Sequence, residues 1–454
     1  MSQTHTNRLQ LLEKQQGRIL DAMHFLWKHP ETGYREWKSQ EYLAAEYEKL
    51  GYTLTYAGNI PGFYTDIDTG RPGPTLLILA ELDALFCATH PDADPETGAV
   101  HACGHCAQSA SLLGIAAVLK QPGALDGLCG KIRLMEVPAE ECVEMEFRNE
   151  LRRKGIIRYF GGKQEFIARG YMDDVDMAVM THSSPRPAGS ATIGCEGNGF
   201  MPKTATFHGN AVHAATNPHL GINALYAAQQ ALGAMNALRE TFRESDYIRM
   251  HPIIANGCGA VNTIPDTVVI ENAVRGASID AIIRENKKVN RAVVGAALSL
   301  GANVTLCDRP GYMPVKTDIG MREAALEACT ACFGRENVIY PKPHGPASTD
   351  MGDLTTLIPT VYMLLGGATG IGHGNNYYVP DELGYCMNSA RVLLTFADIL
   401  LSGNAERANQ IISDFQPLFA DKEAYIRTME SMVLDIEAIT YQEDGSAVVH
   451  WANE

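Results

Sequence analysis

Apolar residues recur every three or four positions through Leu20, Ala22, Met23, Phe25 and Leu26, and again through Tyr42, Leu43, Tyr47 and Leu50. That spacing gathers them on one helical face, so the first fifty residues are expected to be helical, with Gly51 as a stop. The rhythm then shortens. Thr75-Leu-Leu-Ile-Leu-Ala80 is a continuous apolar run between a Gly-Pro pair and charged residues, and Ile132–Val137 and Val175–Met180 resemble it. Runs of that length, apolar on both sides, predict strands of a parallel sheet covered on both faces. A small-residue helix from Ala107 to Leu119 falls between the first two. Strands alternating with helices predict an α/β fold, a mostly parallel sheet with helices on both faces.

The pattern changes after Pro185-Arg-Pro187. Strand-like Thr204–Phe207 precedes a long helix from Ile222 to about Arg239; strand-like Thr267–Ile270 and Ala273–Arg275 precede a second, from about Ile279 to Leu300. Two strand–helix pairs with their own apolar pattern predict an inserted α+β domain. Pro310-Gly-Tyr-Met-Pro314 marks the return, after which a strand at Pro359–Leu364 and a helix from Leu383 to Leu401 are expected to complete the larger domain. The predicted division is 1–188 and 306–404 for the larger domain, 189–305 for the insert and 405–454 for a C-terminal extension of one or two amphipathic helices and a short strand at Ala447–His450. A length of 454 residues suits two cores rather than one.

The formal charge of −16 argues against nucleic acid or an anionic membrane as partner. Eleven cysteines without a disulfide-framework spacing, and a polar start without a signal-peptide core, favour a reducing cytoplasm. No apolar run approaches the roughly 20 residues that span a bilayer.

Chemistry concentrates where predicted strands end, the usual place for sites in such sheets. Glu81-Leu-Asp83 follows the first strand, Glu140-Glu141 the second and His182 the third, while His373 lies in a Gly-rich loop after the fourth. Between them His101-Ala-Cys103-Gly-His105 puts a thiol and an imidazole on one tight turn, a donor pair suited to a divalent transition metal. Alone, Cys103 and His105 would equally be a buried thiol beside a packed histidine; the other donor-type residues shift the balance. His101 fits a ligand, a residue behind the ligands or a turn residue. Asp83 fits the acceptor that orients a metal-bound imidazole, and equally a cap or turn. Two carboxylates forced close together raise one of their pKa values, which suits that one to act as general base near neutral pH. In the insert, His213 could polarise a carbonyl or stabilise an oxyanion, or simply pack at a helix start. Asn262 and Arg275 could bind a substrate carboxylate, or be a turn Asn and a strand-surface Arg.

Taken in order, His-Ala-Cys-Gly-His at 101–105, Pro-Ala-Glu-Glu at 138–141, His213-Ala-Ala with Gly221-Ile-Asn-Ala-Leu225, Asn262-Thr-Ile-Pro-Asp266 and Ser348-Thr-Asp350 resemble the co-catalytic metallopeptidase/amidohydrolase family of aminoacylase, carboxypeptidase G, the indole-3-acetyl-amino-acid hydrolases and aminobenzoyl-glutamate hydrolase. The likeness runs from His29 to about Leu401. It implies a zinc-peptidase-like catalytic domain and an inserted lid domain that forms a homodimer. It implies Cys103, His105, Glu141, His182 and His373 as ligands of two divalent ions, Mn2+ or Zn2+, with Glu140 as general base. His213 would then stabilise the oxyanion in the partner subunit's site. The implied substrate is a small N-acyl amino acid, dipeptide or related amide with a free carboxylate. Three features depart from the family's pattern: Cys106 where Asp or Asn is common, Phe86 where Pro is usual, and a longer loop from Cys87 to Val100. Two other readings compete: a metal-free hydrolase with Cys103 as nucleophile, and a silent metal- or small-molecule-binding protein on the same fold.

Overall fold

The computed structural model describes residues 3–194, 196–257, 259–340 and 344–450. The chain divides into two units, Met1–Glu196 with Val315–Gly345 and Thr349–Lys422, and Gly197–Pro314 with Pro346–Ser348 and Glu423–Glu454.

The first unit is built on an eight-stranded sheet. Its middle is four adjacent parallel strands, Lys131–Val137, Thr75–Glu81, Met177–Ser184 and Thr360–Gly366. Thr75–Glu81 is buried at every position, as its unbroken apolar run requires. The helix His105–Leu119 is also buried throughout, packed between Gln16–Lys28, Glu382–Leu401 and the central strand. Its small residues permit that crowding: a Cβ on Gly114 would come within 2.5 Å of Ile19. Short antiparallel strands flank the parallel core, including Phe63–Asp68 beside Lys131–Val137 and Ala191–Ile193 beside Thr360–Gly366. The fold is the mostly parallel α/β sheet that the apolar pattern led us to expect.

One boundary differs. His182 was expected just beyond a strand ending at Met180, but the strand runs on to Ser184. Parallel pairing with Thr360–Gly366 continues through Leu364 opposite His182 and Gly366 opposite Ser184, so the ladder carries the polar residues with it.

The second unit is a five-stranded antiparallel sheet in the order Ile253–Asn256, Thr267–Gly276, Gly199–His208, Asn303–Asp308, Leu434–Glu437. Burial alternates along Thr267–Gly276, and Val268, Ile270 and Val274 pack in one core with the helices Ala224–Ala237 and Ile279–Ser299. Three of the five strands lie outside the two strand–helix pairs of the sequence reading. Ile253–Asn256 is exposed at all four positions, so it lacks an apolar face to betray it. Among the described residues no helix is long and apolar enough to cross a membrane.

Candidate active site

The four parallel strands end along one edge of the first sheet, and that edge gathers the expected donors. Cys103 and His105 sit on the turn that opens the helix His105–Leu119. Gly104 makes the turn possible: its φ is +90°, and a Cβ there would lie 2.3 Å from the Tyr377 hydroxyl and 2.7 Å from Ser183 Oγ. Ala139, at φ +60°, bends the chain after Lys131–Val137 and so delivers Glu140 and Glu141. The buried Glu36 holds that bend, accepting from Ala139 N at 2.8 Å. His373 stands at φ +65° in its loop, and its backbone N donates to Ala102 O at 2.9 Å.

The side chains converge. Donor atoms of Cys103, His105 and His182 lie within 4.8 Å of one another, as do those of Cys103, Glu141 and His373, and of His105, Glu140 and Glu141. Cys103 Sγ is 3.2 Å from His182 Nε2, and Glu141 Oε1 is 3.1 Å from His373 Nε2. Ligands at 2.0–2.3 Å from a tetrahedral centre stand roughly 3.3–3.8 Å apart, so these donors need move only a few tenths of an ångström to hold a metal. His105 Nε2 and Glu141 Oε1 are buried and lack a well-directed hydrogen bond. Their lone pairs remain available. Three of the five residues, Cys103, His105 and Glu141, belong to more than one trio, a pattern two neighbouring ions need. Four of the five are at most partly exposed; His373, at 57% side-chain exposure, is the open one.

Behind these groups the buried polar atoms are tied together. Asp83 accepts at His105 Nδ1 through both its carbonyl (2.9 Å) and Oδ1 (3.1 Å), while Oδ2 accepts from Glu141 N at 2.7 Å. One carboxylate thus orients two of the expected ligands. His182 Nδ1 lies 2.9 Å from Ser183 O, leaving Nε2 toward Cys103. His101 is buried with no partner on either ring nitrogen.

The sequence reading did not anticipate Lys163. It is fully buried and pairs with both Glu81 and Asp350, and Glu81 in turn lies 3.2 Å from His105 Nε2. Glu81, Glu140 and Asp350 crowd together as a fourth trio, made wholly of carboxylates, with an ammonium already bound to two of them. Arg148, also buried, donates to the carbonyls of Glu141 and Phe160. The signals for these residues were thin: a lysine after two glycines, and an arginine in a charged helix.

Electrostatics separate the two adjacent glutamates. Burial, reinforced by Glu81 and Glu141, pushes the Glu140 carboxyl well above the usual range. Burial also opposes ionisation of Glu141, but the His373 imidazole outweighs it and brings the carboxyl down to about 2. One glutamate is therefore a ready anion and the other a proton acceptor of raised basicity. Burial and Glu141 push the Cys103 thiol well up, the opposite of what a nucleophilic thiolate needs.

The remaining three candidates belong to the second unit. His213 Nδ1 accepts from Ala215 N and Thr216 N at 3.1 and 3.2 Å, which leaves the ring proton on Nε2 as a donor. Asn262 is beside it: Ala214 N donates to Asn262 O at 2.9 Å, and His213 bridges Thr263. Arg275 donates to Ser348 Oγ at 2.8 Å and lies 4.9 Å above the Phe200 ring.

Residues 77–398, more than half of the chain, match peptidase family M20/M25/M40. The chain belongs to this family. It is 30% identical to N-acetyl-L-cysteine deacetylase of Bacillus subtilis, over 79% of this chain and 82% of that one. It is 29% identical to indole-3-acetyl-aspartic acid hydrolase of Enterobacter agglomerans, over 72% and 74%. The fold matches the crystal structure of a dinuclear metal-binding M20 peptidase from Bacillus subtilis, with a TM-score of 0.63 and 20% identity, over 86% of this chain and 99% of that one. As an M20 member, the chain is an enzyme of the metal-dependent amidohydrolase and peptidase class.

Proposed function

We propose that this M20 enzyme hydrolyses the amide bond of a small N-acyl amino acid, dipeptide or related amide bearing a free carboxylate. The observation that carries the reading is the convergence of Cys103, His105, Glu141, His182 and His373 beside the separate carboxyl of Glu140. We assign the five as ligands for two divalent ions, Mn2+ or Zn2+. When bound, such ions lower the pKa of water and polarise a carbonyl.

The chain's own groups do the rest. Glu140 removes a proton from the attacking water as its oxygen bonds to the carbonyl carbon. The same carboxyl then gives that proton to the amide nitrogen as the C–N bond breaks, releasing acid and amine. Its raised basicity suits both steps. Asp83 holds His105 and the Glu141 backbone in place. We assign His213 Nε2–H to the developing oxyanion in the partner subunit's site, and Asn262 and Arg275 to the substrate carboxylate.

A homodimer formed through the second unit is part of the same reading. The exposed edge strand Ile253–Asn256 and the exposed Leu220 and Tyr226 support it. A reducing, cytoplasmic location is supported by the cysteines: all nine in the described residues are free.

The decisive experiment is Glu140→Gln. Metal analysis is expected to find two ions per subunit still bound, while kcat on acyl-amino acids falls by roughly 10²–10⁴. Near-native turnover would remove Glu140 from the mechanism, and loss of metal would make it a ligand instead.

A further inference from the structure

The second unit contains a cavity of about 540 Å³ between the helix Ile279–Ser299 and the sheet edge made by Asn303–Asp308 and Leu434–Glu437. Its lining falls into three chemical parts.

The first is a buried polar network. Asp308 pairs with the buried Lys203, and its other oxygen accepts from Asn286 Nδ2 at 2.7 Å and Asn290 Nδ2 at 3.0 Å. Asn290 Oδ1 accepts from Lys203. One acceptor is left over: Asn286 Oδ1 has no partner, in a residue only 5% exposed. That oxygen is itself closed off from solvent, so Asn286, Asn290 and Asp308 form a polar wall of the cavity whose groups are turned toward one another.

The second part is charge. Lys287 and Arg291 line the cavity one helical turn apart and are exposed. Among the described residues neither forms an ion pair. In a chain of net charge −16, two unneutralised cations at one opening are a local reversal of sign.

The third part is apolar. Met201, Ile283 and Leu306 face the cavity from the helix and sheet, and Met432, Leu434 and Ile436 from the C-terminal segment. That segment lies beyond residue 398, where the family match ends.

We propose that this cavity is an accessory binding site for a small amphipathic carboxylate. The apolar body lies among the methionine and aliphatic side chains, and the carboxylate meets Lys287 and Arg291. The volume falls in the range of small-molecule pockets, roughly 300–1,000 Å³. None of its lining residues belongs to the catalytic candidates.

The test is calorimetric titration of the metal-loaded, full-length enzyme with two probes of the same length, octanoate and octanamide. Octanoate is expected to bind with a dissociation constant of roughly 10–1,000 µM. Octanamide, lacking the charge, is expected to bind about tenfold more weakly. The surface variant Lys287→Ala/Arg291→Ala is expected to lose about tenfold in octanoate affinity while its amide turnover is unchanged, which separates this cavity from the catalytic centre. Equal binding of octanoate and octanamide, no binding at 10-fold above that range, or unaltered octanoate affinity in the double variant would each overturn the proposal.

Discussion

The hydroxyl of Tyr377 lies 2.7 Å from Ser183 Oγ, and Ser183 donates onward to the Cys103 carbonyl at 3.0 Å. This short relay joins three segments that each carry an expected ligand: the turn with Cys103, the strand with His182 and the loop with His373. Tyr377→Phe removes the phenol but keeps the ring. Its metal affinity is expected to fall roughly 10–100-fold, as when a group supporting a ligand is lost, with little change in urea midpoint. Competition against a chelator measures this, and unchanged affinity would mean the relay is incidental.

Gly104 stands against the same relay. Gly104→Ala must hold φ near +90° and fit a methyl group 2.3 Å from the Tyr377 hydroxyl. Strain and overpacking together are expected to destabilise the first unit by about 2–4 kcal/mol. Denaturant unfolding of the metal-free protein reads this directly.

Lys163 neutralises two buried carboxylates, Glu81 and Asp350. Lys163→Met leaves both without their cation, and a loss of about 3–5 kcal/mol is expected. Lys163→Met combined with Glu81→Gln and Asp350→Asn removes the uncompensated charge and is expected to recover most of it. If the triple variant is no more stable than the single one, the ion triad is not the source of the effect.

Glu136 offers a pH test away from the donor cluster. Burial raises its carboxyl to about 7, against the hydrogen bonds from Ser109 and Tyr47, which favour the anion. A raised carboxyl binds its proton more tightly folded than unfolded. Its contribution to stability is therefore full below about pH 4 and is lost as pH rises toward 7. Glu136→Gln cannot ionise, so its stability relative to the parent is expected to increase between pH 5 and pH 8, by the order of 3 kcal/mol at full ionisation. A difference that is flat with pH would show that Glu136 is not titrating in that window.

The parts of the fold legible in the sequence were those with an unambiguous period. Thr75–Glu81 is apolar throughout because both faces are covered, and His105–Leu119 is built of small residues because three elements press on it. Asn303–Asp308 was harder to see, since only alternate positions are buried and it follows directly on a helix. The site divides in the same way. Cys103 and His105 stand out because local spacing brings them together. Lys163 does not, because its partners lie 82 and 187 residues away, and only burial distinguishes a structural ammonium from a surface one. Glu36 and Tyr377 were hidden for the same reason: each acts on a turn that the chain reaches much later or much earlier.

The strand Leu434–Glu437 pairs with Asn303–Asp308, yet the chain between them belongs mostly to the other unit. During synthesis the four earlier strands of that sheet emerge well before their last neighbour does. At ribosomal speeds the delay is on the order of ten seconds. Throughout that interval Asn303–Asp308 is a bare edge, with backbone groups able to pair with any passing strand. The nascent protein is therefore most vulnerable to aggregation while its last hundred residues are still being made, and a ribosome that stalls there would release a chain with a sticky flank.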